Sequence, residues 1–183
     1  MALPATAADA TGLMKSAIRD DNPVLFFEHK ALYRNRWPVP PGFKDPDYVV
    51  PFGQAAVRRA GTDITVVATL CALHHALAAA EALAAEGVSV EVIDPRTLVP
   101  LDGETIIASV RKTGRLLVVD EAYLTCSIQS EVIALVTERA FGALRTAPRR
   151  LGNPGVPFPP PLEDAVLPGT ADIAAAIREM VSS

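Results

Sequence analysis

Apolar positions along the chain fall into two alternating patterns. The stretches "DITVVATL" (63–70), "VSVEVID" (88–94) and "RLLVVDE" (115–121) are short, nearly continuous apolar runs, as expected of strands covered on both faces. Between and after them lie helical stretches. "ALHHALAAAEALAAEG" (72–87) is rich in Ala and Leu and ends at Gly87. "LDGETIIASVRKTG" (101–114) has Asp102 at the N-cap, Glu104 in the first turn, Lys112 in the last turn and Gly114 as C-cap, so both ends of the helix dipole are served. "SIQSEVIALVTERAF" (127–141) opens at Ser127, "APRRLG" (147–152) is a short basic strand, and a final helix begins near Thr170 after the Pro-dense "NPGVPFPPPLEDAVLPG". Three strand–helix units with short connections predict an α/β fold: three layers, with a mainly parallel sheet carrying helices on both faces.

The first fifty residues read differently. "TAADATGLMKSAIRD" (6–20) is an amphipathic helix with Thr6 or Asp9 at its N-cap, and Leu13 and Ile18 lie on its apolar stripe. After a turn at Asp21-Asn22-Pro23, "VLFFE" (24–28) reads as a strand, and "HKALYRNRWPVPPGFKDPDYVVPFG" (29–53) as an aperiodic linker. A boundary near Pro51 separates residues 1–50, a fragmentary unit plus linker, from a main domain at 51–183.

Composition narrows the classes. Half of the 183 residues are apolar and the formal charge is −4, with no long basic stripe, which disfavours a nucleic-acid partner. No run is apolar enough to span a membrane and no basic-then-apolar leader opens the chain, so a cytoplasmic location is expected. Cys71 and Cys126 are far apart and lack metal-site spacing, which disfavours a disulfide or a zinc site. Neither GxGxxG nor GxxxxGK[ST] occurs, and the first strand-to-helix turn, "TLCALHH" (69–75), lacks the glycines that admit a pyrophosphate. His74 and His75 stand near that helix start, either as anion donors or as packing and interface residues. Asp94, Asp120 and Glu121 fall at strand ends, either as functional carboxylates or as helix caps and partners of Arg96. Cys126 and Ser127 have no recognisable orienting base. No catalytic or cofactor-binding residue is assigned.

"VEVIDPRTLVPLDGETIIASVRKTGRLLVVDEA" (90–122) resembles the C-terminal, transketolase-like domain of the beta subunit of thiamine-diphosphate-dependent 2-oxo acid and acetoin dehydrogenases. The resemblance extends back through "DITVVATLCALHHALAAAEAL" and forward through "SEVIALVTERAF" and "VPFPPPLEDAVLP". "AIRDDNPVLFFEHKALYR" (17–34) is similar to the last helix and strand of that subunit's first, pyrimidine-binding domain. The resemblance implies an assembly domain that supports oxidative decarboxylation, or acetoin cleavage, with acyl transfer to lipoyl. Its implied partners are an alpha subunit, a lipoyl acyltransferase core protein and a second beta subunit.

Thiamine diphosphate and magnesium are implied for the assembled enzyme and not for this chain alone, because the pyrimidine-domain motifs would lie before Met1; the isolated chain is expected to be inactive. A potassium site is carried over to Ala17, Ile18, Asp20 and Asn22, whose oxygen atoms suit a hard cation. Two positions depart from the family pattern: Leu70 or Cys71 stands where a glycine or small polar residue is usual, and Gly155 where an acid is usual. "DEAYLTCSI" is similar to acetoin dehydrogenases, whereas "FFEHKALYR" and "VPFPPPLE" are similar to branched-chain or general 2-oxo acid dehydrogenases, so the substrate stays open. Two alternatives are a standalone, non-catalytic interaction module of the same fold and the terminal domain of another thiamine enzyme.

Overall fold

The computed structural model describes residues 1–35 and 38–183; Arg36 and Trp37, in the stretch read as a linker, lie outside the described residues. Five strands form one sheet: β1 (Ala56–Arg59), β2 (Ile64–Ala68), β3 (Val90–Asp94), β4 (Leu116–Tyr123) and β5 (Arg149–Asn153), in the spatial order β1-β3-β2-β4-β5. All neighbours run parallel except β1, which pairs antiparallel with β3 and carries an irregularity between Val57 and Arg59.

Alternate residues of the central strands face two separate cores, as the period of a strand requires. Ile64, Val66, Val90, Val92, Leu117 and Val119 pack under α2 (Leu70–Ala84) and the terminal helix, whereas Val67, Ile93, Leu116 and Val118 pack under α3 (Gly103–Thr113) and α4 (Ile128–Ala140). Three layers result, as expected from the alternating pattern. On the first face α2 packs on the terminal helix α6 (Thr170–Ser182), and their shared core sets the methyl groups of Ala72, Ala76, Ala79 and Ala80, beside Leu73 and Leu83, among Ile173, Ile177 and Met180 of α6. Thr65 is buried on the second face, where its hydroxyl meets Ser109 Oγ at 2.6 Å and Thr113 Oγ1 at 2.7 Å, so a polar side chain inside the sheet is satisfied.

The helix ends follow the capping residues closely. Thr6 accepts from the Asp9 N–H to start α1 (Ala7–Arg19), Asp102 accepts from the Thr105 N–H to start α3, and Gly114 ends α3 at φ 75, where a side chain would be strained.

One expectation fails, and one strand forms that the apolar pattern does not announce. The run "VLFFE" forms no regular strand: Phe26 makes a single parallel bridge with Ala2, which also bridges Thr97, and Leu25 and Phe27 stay 59% and 42% exposed. A strand needs a neighbour of similar length, and Met1–Leu3 offers a ladder of only a few bonds, among them Ala2 N–H to the Leu25 carbonyl (2.9 Å) and Phe27 N–H to the Ala2 carbonyl (2.9 Å). Conversely, "AVRR" forms β1, although Arg58 and Arg59 interrupt any apolar pattern. Arg58 sits there because it serves two buried carboxylates, Asp9 of α1 and Asp94 at the end of β3. The linker stretch also holds a short 3-10 turn at Lys30–Arg34, and the Pro-dense stretch a single-turn α5 (Glu163–Val166).

Candidate functional site

Helix α2, which follows β2, lies on one face of the sheet, and α4, which follows the neighbouring β4, lies on the other. The chain therefore parts between the carboxyl ends of these two strands, the position where open α/β sheets form a ligand crevice. The backbone is unusual at this edge. The non-glycine residues with left-handed backbone among the described residues are Leu70 (φ 45) after β2, Arg96 (φ 58) after β3 and Cys126 (φ 55) after β4. Strain of this kind tends to gather at functional sites, and all three residues stand at the carboxyl edge.

Two hollows meet there. The smaller, of about 310 Å³, is lined by Thr69, Leu70, Asp120, Ala122 and Cys126 and roofed by Met1, Leu3 and Phe27. The larger, of about 720 Å³, is lined by Glu28, His29, Cys71, His75, Glu163 and Asp164, with Glu121 on both. Glu121 Oε2 lies 2.8 Å from His29 Nε2, so the N-terminal segment is clasped to the end of β4. Burial pushes the Glu121 carboxyl above its usual range, against the pull of His29. Asp120 is engaged on both oxygens: Oδ2 accepts from the Thr69 hydroxyl, and Oδ1 accepts from the Ala122 N–H at 2.7 Å. Because Thr69 turns to Asp120, its side chain does not cap α2.

The second turn of α2 separates its two histidines. His74 Nε2 is 2.7 Å from the Ala5 carbonyl, and burial lowers its pKa, so it anchors the N-terminal segment as a neutral group. His75 faces the larger hollow, with Nδ1 3.2 Å from Thr170 Oγ1 and Nε2 3.8 Å from Cys71 Sγ. Burial, and to a lesser degree Glu121, push the Cys71 thiol up.

The remaining strand-end acid is structural. Asp94 is 1% exposed; its Oδ2 accepts from Arg58 Nε (3.1 Å) and Nη2 (2.7 Å), and its Oδ1 from the Arg96 N–H (3.0 Å). Burial raises its pKa to about 6, although the Arg58 charge pulls the other way. Arg96 reaches Asp9 (3.4 Å) and the Gln54 carbonyl (2.8 Å), so the expected pairing of Arg96 with Asp120 or Glu121 is replaced by one with the N-terminal helix. Exposed Cys126 neighbours Ser127, whose buried Oγ has no hydrogen-bond partner among the described residues.

The residues carried over as a potassium site lie elsewhere. Ala17 and Ile18 are in the last turn of α1, where carbonyls run out of helical donors, and Asp20 Oδ1 accepts from the Asn22 N–H (2.8 Å) and side-chain amide (3.0 Å). These bonds hold the Asp20 carboxyl below its usual range. Among the described residues, no three His, Cys, Asp or Glu side chains gather as a metal group.

Sequence reading passed over the Cys71–His75 pair and His29. The i, i+4 spacing of Cys71 and His75 on a helix was available as a signal. His29 lies in an aperiodic stretch, and nothing local announces that it meets Glu121, 92 positions later in the chain.

Fold and crevice together define a doubly wound α/β domain with its carboxyl edge covered by the N-terminal segment. Residues 53–173 match the family model described as transketolase, C-terminal domain, and the chain belongs to that family. It is 46% identical over 96% of its length to the acetoin:2,6-dichlorophenolindophenol oxidoreductase subunit beta of Cupriavidus necator, covering 52% of that protein. It is 43% identical over 97% of its length to the 2-oxoisovalerate dehydrogenase subunit beta of Bacillus subtilis, covering 54% of it. The chain thus spans about half the length of the curated relatives it matches. A solved split-gene transketolase, described as an inactive beta4 tetramer, superposes with a TM-score of 0.75 at 29% identity, covering 99% of this chain and 56% of that one. No helix among the described residues is long and apolar enough to cross a membrane.

Proposed function

We propose that this chain is the C-terminal assembly part of the beta subunit of a thiamine-diphosphate-dependent 2-oxo acid or acetoin dehydrogenase. The observation that carries the reading is the match over nearly the whole chain to beta subunits of two such enzymes, at about half of their length. In this reading the domain holds the subunit to an alpha subunit, to the lipoyl acyltransferase core and to a second copy of itself, in the cytoplasm. Exposed apolar side chains support a covered surface: Leu25, Phe27, Tyr123 and Phe141 are each more than 40% open.

The crevice does not suit thiamine diphosphate. Glu28, Glu121, Glu163 and Asp164 line the larger hollow against Lys30 as its fixed positive charge, so a diphosphate there would be repelled. No step of that reaction is assigned to these residues, and the chain alone does not turn over a 2-oxo acid or acetoin. At Ala17, Ile18, Asp20 and Asn22 the donor set is all oxygen, and Asp20 keeps one oxygen beyond its bonds to Asn22, which favours potassium over a soft metal.

Immobilised chain tests the assembly reading. Capture of the purified alpha subunit or lipoyl core protein is the expected result; binding to neither favours a standalone interaction module. Turnover of pyruvate, a branched 2-oxo acid or acetoin by the purified chain with thiamine diphosphate and magnesium would refute the inactive assignment.

A further inference from the structure

The turn from β2 into α2 carries features that an assembly role does not use. Leu70, the first residue of α2, takes a left-handed conformation two residues after the strand ends, and Cys71 follows it into the larger hollow. One helical turn later His75 brings Nε2 to 3.8 Å from Cys71 Sγ, while its other ring nitrogen lies 3.2 Å from Thr170 Oγ1, at the start of α6. A nucleophile beside a base that is itself oriented by a third group is the general signature of an activated side chain. A strained strand-to-helix turn is the device by which α/β folds present a nucleophile at the top of the sheet.

We infer that Cys71 is the nucleophile of a thiol reaction centre for activated acyl groups, with His75 as its general base and Thr170 as the residue positioning that base. The chemistry needs the tautomer in which His75 Nδ1–H donates to Thr170 Oγ1 and Nε2 accepts the Cys71 proton. Sγ attacks the acyl carbon, the new C–S bond forms as the bond to the leaving alcohol or thiol breaks, and the proton on Nε2 passes to that leaving group. Water then hydrolyses the thioester, returning the thiol and releasing the carboxylic acid. Since burial keeps the resting thiol protonated, attack depends on the base and not on a preformed thiolate. Glu121 lines the same hollow. With Glu28, Glu163 and Asp164 also on the lining, the centre suits a neutral or cationic acyl donor and disfavours an anionic one. The inference stands on local geometry and holds whether or not the assembly reading does.

Para-nitrophenyl acetate tests it on the whole 183-residue chain. A burst of one nitrophenolate per chain, with the acetyl group mapped to Cys71 by mass spectrometry and retained in Cys126→Ser, is the expected result. His75→Gln slows Cys71 acetylation by about tenfold or more. Thr170→Ala slows it less and moves its pH profile, and Thr170→Ser restores both. Acetylation confined to exposed Cys126, or Cys71 acetylation at the parent rate in His75→Gln, overturns the proposal. If His75→Gln fails to fold, the pH profile of the parent decides: a step in the neutral range fits a histidine base, and a rate that climbs only through the alkaline range overturns it.

Discussion

The first fifty residues and the sheet that follows are held in place by different physics. The sheet rests on two cores of fully buried side chains, such as Ile93, Leu73 and Leu117. The N-terminal segment buries mostly small side chains, Ala2, Ala5 and Ala8 with Leu3, Leu13 and Val50, and leaves Ile18 76% exposed. It is moored largely by polar ties: Asp9 to Arg58 and Arg96, the Ala5 carbonyl to His74, and His29 to Glu121. Apolar burial is tolerant of direction, whereas charge and hydrogen-bond ties are all-or-none. The two regions should therefore fail in different ways.

Arg58→Ala attacks the moorings at their strongest point, because it leaves Asp9 and Asp94 buried without their main cation. We expect a loss of about 3–5 kcal/mol in urea denaturation, with α1 exchanging amide hydrogens faster than the sheet. Ile93→Ala opens a cavity in the sheet and costs about 2–5 kcal/mol, read as a fall in melting temperature, with the loss spread over the whole domain. A comparable loss from Phe27→Ala would break the contrast; this half-open side chain should cost less than about 1 kcal/mol.

Acid sharpens the comparison further. Asp94 has a raised native pKa of about 6, so the folded state binds its proton more readily than the unfolded chain, whose aspartate titrates near 3.8. Its contribution is fully present below about pH 4 and falls as pH rises toward 6. Asp94→Asn lacks this titration, so its urea midpoint should gain on the parent's between pH 4 and 6; a constant difference would refute the assignment. The smallest effect is expected at Cys126, exposed and left-handed at φ 55, where Cys126→Gly should raise stability by about 0.5–1 kcal/mol in thermal melts.

This division also explains what could be read from the sequence. Strands buried on both faces, and helices with their own caps, announce themselves locally, so β2, β3, β4 and α3 stand where periodicity and Asp102 and Gly114 place them. β1 does not: Arg58 and Arg59 make sense only beside Asp9, Asp94 and the Val90 carbonyl, partners from distant stretches of chain. Gly61 is equally silent, yet a Cβ there would meet the Val90 carbonyl carbon at 2.2 Å, so the strand crossing requires glycine. "VLFFE" misled for the opposite reason. Its composition is that of a strand, but strand formation is decided by a neighbour, and Ala2 is the neighbour it finds. At the candidate site, the strand-end carboxylates were visible as positions, but their roles were not: Asp120 serves Thr69, and Asp94 serves two arginines, Arg58 through its side chain and Arg96 through its backbone N–H.

The methyl-faced side of α2 has a consequence beyond packing. Short side chains at Ala72, Ala76, Ala79 and Ala80 leave the terminal helix little freedom of height, as a smooth rail fixes the carriage that rides on it. Thr170 is the first residue of that helix, so its hydroxyl reaches His75 at a distance gauged by the rail. Replacing one such methyl by an isobutyl group, as in Ala79→Leu, would lift the end of the chain and be felt as a lost hydrogen bond near its middle.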